Sequence, residues 1–218
     1  MTYTFVHGLD QTASSWQPII DDLEIDSQQV ASPELFSLLG EDKPNYSNVY
    51  QHFFNYCENL DGAVHLCGLS LGAILSLNYA LDRPEKVDSL ILMDAQYKMP
   101  TFLLTIQNGI FRILPNSVFQ KMGLPKKDTI QLTSSMKKID FSKQLAEISC
   151  PTLILCGEKD KPNRKAAEQL SSEIRDADLE MVKEAGHEAN ADNPERLAEI
   201  VGDFWNKPVL SRSPHAHV

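Results

Sequence analysis

The sequence predicts an α/β fold of three layers, with a mostly parallel sheet of about six strands between helices and a helical insertion over one edge. Three observations predict it. Short runs rich in Val, Ile and Leu alternate with longer stretches whose apolar residues recur at helical spacing. One such run, Ala63 to Cys67, passes straight into a helix through Gly68-Leu69-Ser70-Leu71-Gly72. Residues 96–146 then interrupt the alternation with helical spacing and an inverted charge.

The chain of 218 residues suits one large domain, or one domain with a small insertion. Hydrophobic residues make up 42% and charged residues 23%, the balance of an ordinary globular protein rather than a disordered one. The net charge of −10 argues against a nucleic-acid partner, because such proteins are normally basic. No apolar run approaches the roughly 20 residues of a membrane span. The start, MTYTFVHG, lacks the basic and long apolar regions of a secretory signal, so a cytoplasmic location is expected. Cys57, Cys67, Cys150 and Cys156 form no CxxC pair and read as free buried thiols.

Taken in order, Tyr3 to Val6 is a β-rich run that ends in His7-Gly8-Leu9. A helix is expected from about Ser15 to Leu23, capped by Ser14 or Ser15. A weak strand over Gln28 to Ala31 precedes a loop from Leu35 to Lys43. Tyr46, Val49, Tyr50, Phe53, Phe54 and Cys57 mark an amphipathic helix between Asn45 and Leu60. His52 lies off its stripe and reads as solvated, whereas His65 falls inside a buried strand and reads as a hydrogen-bonded core residue. After the Ser70 helix, Arg83-Pro84 breaks the chain, and Asp88 to Met93 forms a continuous apolar strand of the buried parallel kind, ending at Asp94. Cys150 to Gly157 is a second buried strand, followed by Asp160 and a helix from Asn163 to about Ile174. Leu179 to Val182 is a short strand, then come Gly186-His187 and a helix from Pro194 to Trp205.

Within residues 96–146, Lys and Arg number 8 against 2 Asp and Glu, which leaves 12 against 28 in the remainder. A long insertion at the carboxyl edge of a parallel sheet sits over the ligand crevice. The sequence therefore divides into a core of residues 1–96 and 147–206, an insertion of residues 97–146 and a polar tail of residues 207–218, expected to be flexible, where His215 and His217 read as frayed residues.

The serine corner carries the chemistry. Glycines two before and two after Ser70 allow a strand to turn abruptly into a helix, which lifts the hydroxyl clear of the sheet. A passive serine on a glycine-rich turn is the bland alternative, and the bare motif is weak. The rest of the chain strengthens it. A strand ending in His7-Gly8 before a Ser-x-Trp-like helix start, the serine corner, the form P-x-L-x-L-x-G-x-x-D over Pro151 to Asp160, and Gly186-His187 after the last strand together resemble the α/β-hydrolase family over approximately Thr2 to Trp205. The resemblance implies an α/β-hydrolase fold whose insertion is a helical cap. It implies Ser70 as nucleophile, His187 as base and Asp160 as acid, in the chain order that fold requires, with Asp94 as the rival acid. It also implies an oxyanion hole from the backbone amides of Leu9, or Gly8, and Leu71. His7 is expected to shape its loop, and Glu184 lies too near His187 in sequence to serve as its acid.

The chain departs from the family at Leu69 and Ala73, where relatives often carry a polar or aromatic residue and a glycine. It also starts at the strand of the oxyanion loop, so the sheet is expected to be short. The implied activity is hydrolysis of a small or medium carboxylic ester or thioester through an acyl-enzyme, with no cofactor and no metal. The expected partner is a small ester-like substrate, with a homodimer left open. The basic insertion favours anionic or amphipathic substrates. A non-hydrolytic lyase acting on an anionic substrate and a silent ligand-binding module are the alternatives.

Overall fold

The computed structural model describes residues 1–119 and 123–206. Thr2–Val6 forms β1, whose chain leaves through a 3-10 turn over Ala13–Trp16 into α1, Gln17–Asp22. Thr12, not Ser14 or Ser15, stands at the start of that turn, and its backbone N–H donates to Ser15 Oγ at 3.3 Å. The expected strand after Gln28 shrinks to Val30–Ala31 (β2), because Ser27–Gln29 forms a 3-10 turn before it. Tyr46–Glu58 is α2, capped by Asn45 through the N–H of Asn48 at 3.0 Å. Val64–Leu69 is β3, Leu71–Asp82 is α3 and Val87–Met93 is β4. The insertion holds α4 (Thr101–Ile113), α5 (Asn116–Phe119) and α6 (Lys126–Ser135). The core resumes with β5 (Thr152–Gly157), α7 (Lys161–Glu173), β6 (Ala177–Val182), α8 (Ala189–Asp192) and α9 (Pro194–Asn206). The expected tail over residues 207–218, with His215 and His217, lies outside the described residues.

The strands form one sheet in the order β2-β1-β3-β4-β5-β6, and every described pair runs parallel. Parallel strands cannot be joined by hairpins, so helices cross over each face and bury both. Strand alternation divides the core accordingly. Val64, Leu66, Leu90, Leu92 and Ile154 face α2, α3 and α7, while Phe5, Cys67, Ile91, Met93 and Leu155 face α1 and α9. This makes three layers and explains why β4 reads as an unbroken apolar run.

The register brings the carboxyl ends of the central strands level. Val6 pairs with Gly68, Leu69 with Met93, Met93 with Leu155, and Gly157 with Val182. Whatever follows each strand therefore collects along one rim. All four cysteines are free and buried, and burial pushes the Cys150 thiol up to about 11. Among the described residues no helix is long and apolar enough to cross a membrane.

Candidate active site

Ser70 sits on the corner between β3 and α3 with φ 52° and ψ −111°, a conformation that a side chain rarely adopts. The flanking glycines make the corner feasible. A Cβ on Gly68 would come within 2.5 Å of the Gly72 carbonyl carbon, and one on Gly72 would run into the Val6 carbonyl of the neighbouring strand. The backbone is held by the Ser70 N–H donating to Met93 O at 2.9 Å. Leu71, the first residue of α3, lines the space beside the hydroxyl, and the first N–H groups of a helix have no partner within it.

His187 reaches this corner from the loop after β6. Its Nε2 lies 3.1 Å from Ser70 Oγ, and its Nδ1 lies 2.7 Å from Asp160 Oδ2. Asp160 follows β5 and is buried, whereas the His187 side chain is 42% exposed toward the cavity side. Gly157 makes this approach feasible, since a Cβ there would collide with the carbonyls of Gly186 and Ala185 beside the histidine. The hydrogen bond to Asp160 raises the His187 pKa above its ordinary value against the opposing effect of burial, and the charge of Asp94 adds to it. Burial works to raise Asp160, but the hydrogen bonds from His187 and Asn163 outweigh it and hold the carboxyl below the usual range.

Two contacts here have no counterpart in the sequence reading. Asn163 Nδ2 donates to Asp160 Oδ2 at 2.7 Å, while its Oδ1 accepts from Gln96 Nε2 at 2.6 Å. The same Nδ2 lies 3.1 Å from His187 Nδ1, but with Nδ1–H donating to Asp160 both groups are donors, so the amide serves the carboxylate. The signal was an asparagine three residues after the acid at a helix start, which places both on one side of the first turn. The second contact is a reciprocal amide pair. Gln11 Nε2 donates to Asn190 Oδ1 at 2.9 Å and Asn190 Nδ2 donates to Gln11 Oε1 at 3.0 Å, tying the loop after β1 to α8, just beyond His187.

Asp94 ends β4 with φ 50° and is buried. Its Oδ1 accepts from the Gly157 N–H at 3.2 Å, and its Oδ2 has no partner among the described residues. Burial, with the charge of Asp160 beside it, pushes its pKa up to about 7. Donor atoms of Asp94, Asp160 and His187 lie within 4.8 Å of one another, the only such group among the described residues that could hold a cation. Two of the three are already joined directly by the 2.7 Å hydrogen bond.

The remaining histidines lie away from the corner. His7 is fully buried, with Nδ1 at 2.7 Å from Gly8 O and Nε2 accepting from the Leu35 N–H at 3.1 Å, so it shapes the loop as a neutral ring. Burial lowers its pKa. His65 lies 2.8 Å from Ser89 Oγ and stacks on Tyr3, and His52 pairs with Asp42 at 2.8 Å on the surface. Glu184 is a turn residue at φ 61°, its carbonyl accepting from Lys159 Nζ.

A cavity of about 240 Å³ lies over Ser70. Leu9 and Leu71 line it beside Asp94, Gln96, Asn163 and His187, and the insertion supplies Met99, Pro100, Leu104, Gln107, Thr133 and Met136. Among the described residues no Lys or Arg lines it, so the described cations of the insertion face elsewhere. A larger hollow of about 850 Å³ between Phe119, Leu124 and Ile130 has no pairing of nucleophile and base among its described lining residues.

The family model that matches residues 5–200 is the alpha/beta hydrolase family, and the chain belongs to that family. It is an enzyme of the hydrolase class. The chain is 23% identical over 199 residues to a proline iminopeptidase of Heyndrickxia coagulans, covering 68% of each. It is 27% identical over 177 residues to a 2-hydroxy-6-oxononadienedioate/2-hydroxy-6-oxononatrienedioate hydrolase of Pseudomonas putida, covering 65% of this chain and 62% of that protein. The match thus spans about two thirds of the length of these relatives. A thermophilic esterase from Thermogutta terrifontis shares the fold with a TM-score of 0.75 at 21% identity, over 94% of this chain and 89% of that one.

Proposed function

We propose that the protein is a serine hydrolase that cleaves a small or medium carboxylic ester or thioester through an acyl-enzyme. The observation that carries this reading is the continuous line from Ser70 Oγ to His187 Nε2 at 3.1 Å and from His187 Nδ1 to Asp160 Oδ2 at 2.7 Å, ending in a cavity. Ser70 Oγ attacks the carbonyl carbon while its proton passes to Nε2. Asp160 holds Nδ1–H, fixes the tautomer and stabilises the imidazolium. The oxyanion meets the amides of Leu9 and Leu71. His187 then returns the proton to the departing alcohol or thiol, and water attacks the acyl group by the same route, releasing the acid and restoring Ser70. The helical insertion acts as a cap that shields these steps from bulk water.

A lyase acting on an anionic substrate, or on a dioate such as the one in the Pseudomonas relative's name, is best served by cations in the cavity. The absence of Lys and Arg among the described lining residues favours a neutral ester instead. A fluorophosphonate probe tests the proposal. It should label the wild-type chain and leave Ser70→Ala unlabelled, and His187→Ala should lower kcat on a p-nitrophenyl ester by about 10⁴-fold or more. Unlabelled wild-type protein that hydrolyses no member of an ester and thioester panel would overturn it.

A further inference from the structure

The helix α4 buries a polar residue and exposes an apolar strip. Its most deeply buried described residue is Asn108, whose Oδ1 accepts from Thr133 Oγ1 at 2.6 Å and whose Nδ2 donates to Ser134 Oγ at 3.0 Å. Leu104 turns inward onto the core and Phe111 packs edge-on against Phe119, but four other large apolar residues face outward. Phe102 is 75% exposed, Ile106 47%, Ile110 48% and Ile113 83%, and Val118 on α5 is 42% exposed. Steps of four, four and three residues put the first four on one side of the helix. Single exposed apolar residues are normal, but a contiguous strip on a chain that otherwise buries its core marks an interaction surface. Apart from this strip and Val118, the exposed large hydrophobics among the described residues are Met1 and Leu179.

Positive charge brackets the strip. At its start, the Thr101 hydroxyl donates to the Lys137 carbonyl, which brings Lys137 and Lys138 alongside. At its end stands Arg112, and Lys126 Nζ is held on the carbonyls of Arg112 and Leu114, with Lys127 next to it. The rest of the chain is strongly acidic, so the molecule is electrically polar from cap to core.

We propose that α4 docks this protein onto a lipid surface bearing anionic headgroups, with the Phe102–Ile113 strip entering the acyl boundary and the flanking lysines meeting the phosphates. This combination of an apolar face and a basic rim suits a helix lying in a membrane interface. The charge favours it over a second copy of the chain. A twofold contact through α4 would set one basic rim against another, whereas an anionic bilayer attracts the cap and repels the acidic core, which orients the molecule. The inference does not depend on the hydrolytic reading, since docking needs no chemistry at Ser70.

The test is flotation of the full chain with vesicles of equal parts phosphatidylglycerol and phosphatidylcholine, against vesicles of phosphatidylcholine alone. Binding should be about tenfold or more stronger to the anionic vesicles and should fall as salt rises. Phe102→Ser with Ile113→Ser should abolish it, and Lys127→Glu with Lys138→Glu should remove the anionic preference. These side chains lie away from the cavity over Ser70, so both variants should keep wild-type rates on a soluble ester, which also shows that they fold. Ser70→Ala should float like the wild type. Equal flotation by the wild type and the Phe102→Ser/Ile113→Ser variant would overturn the proposal. So would failure to bind anionic vesicles, whether or not sedimentation reveals a dimer that this variant dissociates.

Discussion

His187 can act as a base only when neutral, and its hydrogen bond to Asp160 favours the protonated ring. The acid limb of kcat/KM should therefore lie above the ordinary imidazole value of about 6.5, with activity falling as pH drops through it. Asp160→Asn should move that limb down and reduce kcat by about 10⁴-fold, because an amide can hold the ring in the wrong tautomer. Stability carries the opposite sign. The contribution of His187 to the pair is complete below the unfolded imidazole value and is lost as pH rises through the raised one. The contribution of Asp160 is present above the unfolded carboxyl value and is lost as pH falls through its lowered one. Asp94 behaves differently from both. With its pKa pushed up to about 7 by burial, the folded state holds a proton that the unfolded chain releases near 4, so stability drops as pH climbs between these values. Asp94→Asn keeps an acceptor for the Gly157 N–H and removes that loss. It should stabilise the protein at pH 8, by about 4 kcal/mol at most, and little at pH 4, read from urea midpoints. If Asp94 were the working acid, its asparagine variant would cost more activity than that of Asp160.

At the level of elements, the site depends on how closely β5 meets the loop before His187. Gly157→Ala places a methyl group where the Gly186 carbonyl stands, so the loop must move. A displacement near 1 Å should lower kcat by about 100-fold, with a stability loss of about 1–3 kcal/mol in thermal melts. Gly109→Ala, which meets nothing within 4 Å on α4, serves as the control and should be neutral or stabilising by up to about 1 kcal/mol. The contrast explains what the sequence could disclose. The serine corner, Asp160 and His187 were legible because each follows a strand whose end is marked by local backbone demands, above all glycine. Strand β3 runs two residues beyond the apolar run that marks it, since Gly68 and Leu69 are held as strand by pairing with Leu92 and Met93 of β4. The Gln11–Asn190 pair was invisible because its partners belong to opposite ends of the chain. Apolar spacing disclosed α4 as a helix, but periodicity alone does not tell an inward stripe from an outward one, and only the burial of Asn108 does so.

Across the whole molecule, a net charge of −10 surrounds a cavity with no cation among its described lining residues and two carboxyl groups at its base. A neutral ester should be turned over about tenfold or more faster, in kcat/KM, than an analogue of equal length carrying a carboxylate, and added salt should narrow the gap. Equal rates, or a preference for the anion, would mean that the basic insertion reaches the substrate after all. The sheet order has a separate consequence for synthesis. Strand β1 lies inside the sheet, and one side of it is roofed by α9, with Trp205 against Tyr3 and Phe5. A nascent chain that has made β1 but not yet α9 thus carries an unfinished, sticky β-surface, and any product released between the two would keep that surface bare.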